Sequence, residues 1–159
     1  MSKYLFILES PGKVKKIKSY LGPDFDVVAS KGHVSDLPSK GLNIDLDNNF
    51  EPTFEVNDDK KDVVRMLKEK ARVCDIIYLA TDLDREGEGI SWHIANELGN
   101  TKKIKRVRYN SITKNEIQKA IKEASDIDMA LVDSYLTRRI LDRLCGYRTS
   151  FLVKRATGG

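Results

Sequence analysis

Three acidic side chains alternate along a short segment that follows the most hydrophobic stretch of the chain. Asp82, Asp84 and Glu86 stand at i, i+2 and i+4, directly after the apolar run 75–80. If the backbone stays extended there, alternate side chains share one face and the carboxylates converge. Carboxylate oxygens without His or Cys suit Mg²⁺. The spacing predicts a magnesium site; the competing interpretation is that the acids from Asp84 to Glu88 only favour the positive N-terminus of a following helix.

Two further polar residues follow predicted strands. Glu9 comes directly after the apolar run 4–8, and His33 follows 25–29 by a few residues. If the strands 4–8 and 75–80 are neighbours, Glu9 meets the acidic cluster as a metal ligand or as a proton donor with a raised pKa. Each residue also has a plainer explanation, because a strand-end acid is often solvated and a lone histidine is more often structural.

The elements that must position these residues alternate between strand and helix. The strongest strand, 75–80, is hydrophobic enough to be central in a parallel sheet. Such alternation predicts an open α/β fold, whose ligands bind beyond the carboxyl ends of the strands. The segment 35–57, rich in Pro, Gly, Asn and Asp, predicts a long surface excursion with little regular structure. The predicted strands are 4–8, 25–29, 75–80 and 106–109, and the predicted helices are 13–21, 59–72, one from about Gly89 to Leu98, one opened by the capping box Thr113-x-x-Glu116, and 128–147.

Composition bounds the class of protein. The chain has 159 residues and a net charge of +4, enough for one domain and the beginning of a second. It has no apolar run near the roughly 20 residues that span a membrane. Two distant cysteines exclude a disulfide framework, and a cytosolic location is expected. Basic residues concentrate at both ends, with five lysines against one acid in 1–20 and six basic residues against one acid from 134 onward, so the ends suit a polyanion if the fold brings them together.

Taken together, five segments resemble the type IA DNA topoisomerases. The opening Glu-Ser-Pro resembles the bacterial topoisomerase I branch of that family more than topoisomerase III. The segments occur in the family's order and span essentially the whole chain. They are Leu8-Glu9-Ser10-Pro11-Gly12-Lys13, Gly32-His33-Val34-x-Asp36-Leu37-Pro38, Ala80-Thr81-Asp82-x-Asp84-Arg85-Glu86-Gly87-Glu88, Arg108-x-Asn110-x-Ile112-Thr113 and Arg138-Arg139-x-x-Asp142-Arg143-x-x-Gly146-Tyr147.

The resemblance implies a fold and a division of the chain. Residues 1–125 would form a Toprim domain, a Rossmann-like open sheet of mainly parallel strands with flanking helices. Residues 126–159 would begin a second domain, truncated here, with a helix along a groove for single-stranded DNA. The remaining domains of the parent topoisomerase would be its partners, in a bacterial cytoplasm at the nucleoid, and a monomer is expected.

The resemblance also implies roles for individual residues. The acids matching the family's metal ligands are Asp82, Asp84 and Glu86, with Glu9 beside them as ligand or general acid/base. Lys13 matches a lysine near the scissile phosphate, and His33 matches a histidine that approaches DNA. Residues of the last segment suit phosphate binding, base stacking or the orientation of an arginine: Arg138, Arg139, Asp142, Arg143 and Tyr147.

The implied reaction is relaxation of negatively supercoiled DNA by transient cleavage of one strand through a 5′-phosphotyrosine, followed by religation, with Mg²⁺. None of the six tyrosines has the Tyr-x-Arg-Thr-like context of the family's nucleophile. We therefore expect an N-terminal fragment that holds the metal and acid–base half of the site and is inactive alone.

Other functions stay open from sequence. One alternative is a Mg²⁺- and DNA-binding module without turnover, and another is a different Toprim enzyme such as a primase or nuclease. A phosphatase of the haloacid-dehalogenase type fits Asp82-Leu83-Asp84 superficially, but that family places the pair after its first strand and disfavours an acid where Glu86 stands.

Overall fold

The fold is an α/β sandwich around one parallel sheet, seen in a computed structural model that describes residues 3–38, 41–99 and 103–156, with side chains up to residue 146. The four main strands are β1 (Tyr4–Leu8), β2 (Phe25–Ala29), β7 (Ile76–Ala80) and β8 (Ile104–Arg106). They lie in the order β2-β1-β7-β8, and every neighbouring pair is parallel. The predicted open parallel sheet is confirmed, with β7 inside it as expected.

Helices cover both faces of this sheet. They are α1 (Val14–Leu21), α2 (Lys61–Val73), α3 (Arg85–Glu97), α4 (Lys114–Lys122) and α5 (Met129–Ala156). Short 3₁₀ turns, Pro11–Lys13 and Asp58–Lys60, precede α1 and α2. Thr113 caps the predicted helix, because its side chain accepts a hydrogen bond from the Glu116 amide at the start of α4.

The two inner strands, β1 and β7, are apolar throughout because both of their faces are buried. One core contains Leu5, Ile7, Ile77 and Leu79 from the strands, packed with apolar residues of α2 and α3. The alternate strand residues form the other core with α1 and α4; they are Phe6, Leu8, Val27, Tyr78 and Ala80. α5 lies outside this sandwich and packs mainly on α3.

The segment between β2 and α2 is more ordered than predicted. It contains two small antiparallel pairs: β3 (Ser35–Asp36) with β6 (Glu55–Val56), and β4 (Ile44–Asp45) with β5 (Glu51–Pro52). It also buries Val34, Leu37 and Ile44. The segment does have little regular structure, as predicted, but it is not wholly a surface excursion, because these apolar residues anchor it.

Three element boundaries also differ from prediction, one of them the end of α5, which continues to Ala156 rather than ending near residue 147. The last strand is Ile104–Arg106 rather than 106–109, although the Val107 amide still donates to the Leu79 carbonyl at 2.9 Å. The helix after the acidic segment begins at Arg85 rather than near Gly89. The acids at 84, 86 and 88 therefore belong to a helix start and not to an extended strand.

Candidate functional site

Glu9 and Asp82 meet at the carboxyl edge of the sheet. Leu8 and Ala80, the last residues of β1 and β7, are paired in register, so the residues that follow lie side by side. The Asp82 amide donates a long hydrogen bond of 3.4 Å to Glu9 Oε1. The predicted proximity of Glu9 to the acidic segment is confirmed.

The surroundings of Glu9 favour its protonated form. Partial burial raises the pKa of Glu9 above its ordinary value of 4.5, and the negative charges of Asp82 and Asp84 raise it further. The hydrogen bond from the Asp82 amide and the nearby His33 act in the opposite direction but are outweighed. A carboxyl with this balance suits proton transfer, or binding of a cation that relieves the repulsion.

Asp84 and Glu86 are arranged by helix α3 and not by strand alternation. Asp84 is the N-cap of α3, and its Oδ1 accepts a hydrogen bond of 2.7 Å from the Gly87 amide. Glu86 lies in the first turn, with Oε2 3.3 Å from His33 Nε2. The premise that the backbone stays extended through Glu86 is wrong, because the capping carboxylate starts a helix two residues earlier. Asp84 therefore caps the helix, and its role as a metal ligand stays a prediction.

Gly87 allows the start of α3 to lie against the end of β7. A Cβ atom at this position would fall 1.9 Å from the Asp82 carbonyl oxygen. The Thr81 hydroxyl adds a hydrogen bond of 2.6 Å to the Gly87 carbonyl oxygen and lies 2.7 Å from the Ser91 hydroxyl. The strand end and the helix start are thereby held in direct backbone contact.

The donor set at this edge suits a hard divalent cation. The candidate ligands, Glu9, Asp82, Asp84 and Glu86, all offer carboxylate oxygens. Mg²⁺ commonly takes one or two carboxylates and keeps its remaining waters. Among the described residues, no group of three or more His, Cys, Asp or Glu side chains lies close enough together to hold a metal ion. The edge therefore presents carboxylates around the contact of Glu9 with the Asp82 amide, and not a complete set of metal ligands.

A buried ion pair supports the acidic loop from below. Arg106 is completely buried, and its Nε donates to Glu88 Oε1 at 2.8 Å, while Glu88 is only 1% exposed. The Arg106 guanidinium also donates to the carbonyl oxygens of Thr81 at 2.9 Å and Asp82 at 2.7 Å. Arg106 thus holds the backbone that carries Asp82.

Glu88 is fully engaged on the other side of this pair. The Arg108 guanidinium reaches Glu88 Oε1 at 3.1 Å, and the Asp128 amide, just before α5, donates to Glu88 Oε2 at 3.1 Å. Sequence reasoning missed this pair, taking Glu88 for a helix-start acid and Arg106 for an ordinary strand residue. The available signal was the presence of charged residues in elements predicted to be buried. Charged groups are rarely buried without a partner, so Glu88 and Arg106 could have been expected to pair.

His33 is held beside the acidic segment by side chains from two helices. Besides its contact with Glu86, its ring stacks on Tyr135 of α5, with ring centroids 5.9 Å apart and an interplanar angle of 21°. His33 Nδ1 is buried and has no hydrogen-bond partner. Tyr135 and its partner His93 are further residues that sequence reasoning did not select.

The remaining predicted residues lie in the 3₁₀ turn before α1 and on α5. Lys13 is exposed at the end of the 3₁₀ turn that follows Glu9. Arg138 and Asp142 form the expected i, i+4 ion pair, 3.5 Å apart and both more than half exposed. Tyr147 falls within α5, but its side chain lies outside the described residues.

Two arginines of α5 contact β3 and the segment that follows it. Arg139 forms an ion pair with Asp36 Oδ1. Arg143 donates to the carbonyl oxygens of Pro38 at 2.8 Å and Gly41 at 2.7 Å. These arginines, predicted as phosphate ligands, therefore make hydrogen bonds within the protein. Arg138, which is more than half exposed, is the most accessible of the three to a phosphate.

The described part of the chain has no helix long and apolar enough to cross a membrane.

The parallel sheet, the glutamate after its first strand and the acidic loop after β7 define a Toprim domain, and the Toprim family matches residues 4–112. The chain belongs to this family.

Within the family, the chain is similar over nearly its whole length to DNA topoisomerase I. It is 49% identical to the prokaryotic-type DNA topoisomerase 1 of Acanthamoeba polyphaga mimivirus over 155 residues, covering 98% of the chain and 18% of that protein. It is 43% identical to DNA topoisomerase 1 of Streptomyces coelicolor, covering 92% of the chain and 17% of that protein. It is also 43% identical to the Campylobacter jejuni protein of the same name, covering 96% and 22%.

The solved structure of full-length topoisomerase I from Thermotoga maritima has the same fold. It superposes with a TM-score of 0.86 at 43% identity, covering 95% of this chain and 26% of that one. The chain thus spans about a fifth of the length of the curated relatives. Its correspondence is to the Toprim portion of type IA topoisomerases, which are isomerases.

Proposed function

We propose that this chain is the metal-binding and DNA-contacting Toprim portion of an enzyme that relaxes negatively supercoiled DNA. The parent reaction would cleave one strand through a 5′-phosphotyrosine, pass a strand and religate. Residues 1–125 would be the Toprim domain and 126–159 the beginning of the DNA-groove domain. The observation that carries the proposal is the meeting of Glu9 with Asp82 at the sheet edge.

Glu9 and Asp82, with Asp84 and Glu86, would hold Mg²⁺. Bound there, Mg²⁺ would supply positive charge next to the phosphate oxygens. Glu9, with its raised pKa, would give a proton to the leaving sugar oxygen and take it back on religation. Lys13, exposed beyond Glu9, would contact the phosphate with its ammonium group.

The DNA would approach along α5 and past His33. Arg138 offers a charged donor to phosphate, with Asp142 orienting it, while Arg139 and Arg143 hold the neighbouring segment and Tyr147 stacks on a base. The cleaved strand would be a single-stranded stretch of underwound duplex in a bacterial cytoplasm.

Mg²⁺ titration followed by calorimetry tests the site. We expect saturable binding that the double substitution Asp82→Ala, Asp84→Ala removes. The matched control is Asp58→Ala, Asp62→Ala, which removes the same charge from exposed positions in the 3₁₀ turn before α2 and in the first turn of α2. Equal binding by both double variants contradicts the proposed metal site.

A plasmid relaxation assay tests the proposal that this chain lacks the nucleophilic tyrosine of the parent enzyme. The 159-residue chain alone should neither relax supercoiled plasmid nor form a covalent DNA adduct. Relaxation by a homogeneous preparation would show that the nucleophile lies within these residues. Salt-dependent binding of a single-stranded oligonucleotide without turnover is the expected behaviour.

A further inference from the structure

Three aromatic rings connect helix α5 to the acidic segment. The His33 ring stacks on Tyr135, and the Tyr135 hydroxyl lies 3.0 Å from His93 Nε2. At its other end, His33 Nε2 lies 3.3 Å from Glu86. A continuous line of contacts therefore runs from the interior of the α3–α5 packing to a candidate metal ligand.

The His33 ring lacks the second hydrogen bond that usually fixes an imidazole. Its Nδ1 is buried without a partner, so no donor or acceptor at that nitrogen sets the ring orientation. The backbone is held separately, because the Asn57 side-chain amide donates to the His33 carbonyl oxygen at 3.3 Å. The ring contacts that remain are the carboxylate of Glu86 and the face of Tyr135.

Tyr135 is itself rigidly placed. It is fully buried, and its ring lies over Gly89 of α3, where a Cβ atom would fall 2.5 Å from the ring. Burial lowers the pKa of His93 to about 4 and raises the pKa of Tyr135, so both groups are neutral at pH 7 and their hydrogen bond persists. The stacking platform under His33 therefore moves only if α5 moves against α3.

We propose that Tyr135 is a positioning residue that holds the His33 imidazole with Nε2 toward Glu86, so that the placement of α5 and the orientation of His33 change together. α5 also carries Arg138, three residues further on. Binding of a nucleic-acid phosphate on α5 is thereby linked to the geometry at the acidic edge through one side chain. A tyrosine that only fills the space over Gly89 would have no such effect on His33.

The ring orientation is tested by NMR of the 159-residue chain. We expect nuclear Overhauser contacts between the His33 and Tyr135 rings. Tyr135→Phe keeps the stacked ring and should leave the His33 ring signals in place while shifting those of His93. Tyr135→Leu should move the His33 signals toward those of a solvated histidine. The matched control is Val132→Ala, which truncates another fully buried α5 residue and should leave the His33 signals unchanged.

A double-mutant cycle tests the consequence for binding, and this part rests on the proposed function. Tyr135→Leu should weaken binding of a fluorescent single-stranded oligonucleotide by about twofold to tenfold, the range that loss of one aromatic pair produces. In the His33→Ala background the same substitution should have no further effect, whereas Val132→Ala should act equally in both backgrounds.

The outcomes separate the two ideas. Absence of oligonucleotide binding by the unsubstituted chain contradicts the proposed function and leaves the NMR result to decide the positioning role. Three results would each overturn the positioning role of Tyr135. They are unchanged His33 signals in Tyr135→Leu, missing contacts between the His33 and Tyr135 rings, and additive effects in the double-mutant cycle. Urea unfolding of every variant excludes global loss of structure, and if Tyr135→Leu does not fold, the ring contacts in the unsubstituted chain and in Tyr135→Phe decide.

Discussion

Glu88 Oε1 and Arg106 Nε lie 2.8 Å apart in a part of the molecule from which solvent is almost completely excluded. The pair joins the first turn of α3 to β8 and reaches the backbone of Asp82 through the same guanidinium. A buried ion pair thus supports the candidate metal-binding edge, although neither of its side chains is a candidate metal ligand. Five measurable consequences follow from this and neighbouring contacts.

Replacing Glu88 by Ala should lower the free energy of unfolding by about 3–5 kcal/mol, because it leaves the Arg106 charge buried without a partner. Asp142→Ala is the matched control, since it breaks the exposed pair with Arg138 and should cost less than about 1 kcal/mol. Urea unfolding at pH 7 measures both. Similar values for the two variants would mean that the buried pair contributes no more than a surface one.

Gly87→Ala should destabilise the chain by about 1–3 kcal/mol or more, because the added methyl group meets the Asp82 carbonyl oxygen and pushes the helix start away from the strand. Gly12→Ala has no contact closer than 3.8 Å and should change stability by less than about 0.5 kcal/mol. Thermal and urea unfolding compare them. If Gly87→Ala is neutral, the backbone contact is looser than described.

Glu9→Gln should make the chain more stable at pH 7 and no different below pH 4.5. The pKa of Glu9 is raised in the folded chain, chiefly by burial, so folding favours the protonated carboxyl. That contribution is fully present below the unfolded pKa and is lost as the pH rises through the folded value. The glutamine side chain does not ionise, so the variant does not lose this stability at pH 7. Urea midpoints of both proteins across pH 4–8 provide the measurement; a glutamine variant that is less stable at pH 7 contradicts the raised pKa.

His93 should make stability fall as the medium is acidified. Its folded pKa is lowered to about 4 by burial, so its contribution is present above the unfolded value of 6.5 and is lost as the pH falls toward 4. At about 1.36 kcal/mol per pKa unit, the loss is about 3 kcal/mol. His93→Gln, which does not titrate, should flatten this part of the profile. An identical pH profile in the variant would assign the acid sensitivity to other groups.

Arg138→Ala should reduce the salt dependence of single-stranded DNA binding, lowering the slope of log K against log salt by about 0.7 for one lost phosphate contact. Arg139→Ala should instead leave that slope unchanged and speed amide hydrogen exchange in β3, because it releases the ion pair with Asp36. Fluorescence anisotropy across a salt series and hydrogen exchange followed by NMR separate the two effects. Equal changes of slope would place Arg139 on the DNA as well.

The proximity of Glu9 to Asp82 was predictable because it depends on only two local facts. Both residues follow short, wholly apolar segments, and such segments pair as buried parallel strands whose ends coincide. The Thr113 cap was predictable for a similar reason, since its hydrogen bond joins residues three positions apart. Residue type and spacing were sufficient wherever the partners were near in sequence or fixed by strand pairing.

The arrangement of Asp84 and Glu86 was not predictable from alternation, because a carboxylate that caps a helix changes the backbone direction within two residues. The roles of Arg139 and Arg143 depend on a segment about a hundred residues away, and no local pattern reports that contact. In the same way, 40 or more residues separate Tyr135 from Gly89 and His93.

Residue types and local spacing were therefore enough to predict the meeting of Glu9 with Asp82 and a basic helix in an α/β chain. The tertiary structure determined which charged side chains remain accessible to a ligand and which form ion pairs or hydrogen bonds within the protein. The physical reason is that a side chain's hydrogen bonds and desolvation depend on every element packed around it, including those most distant along the chain.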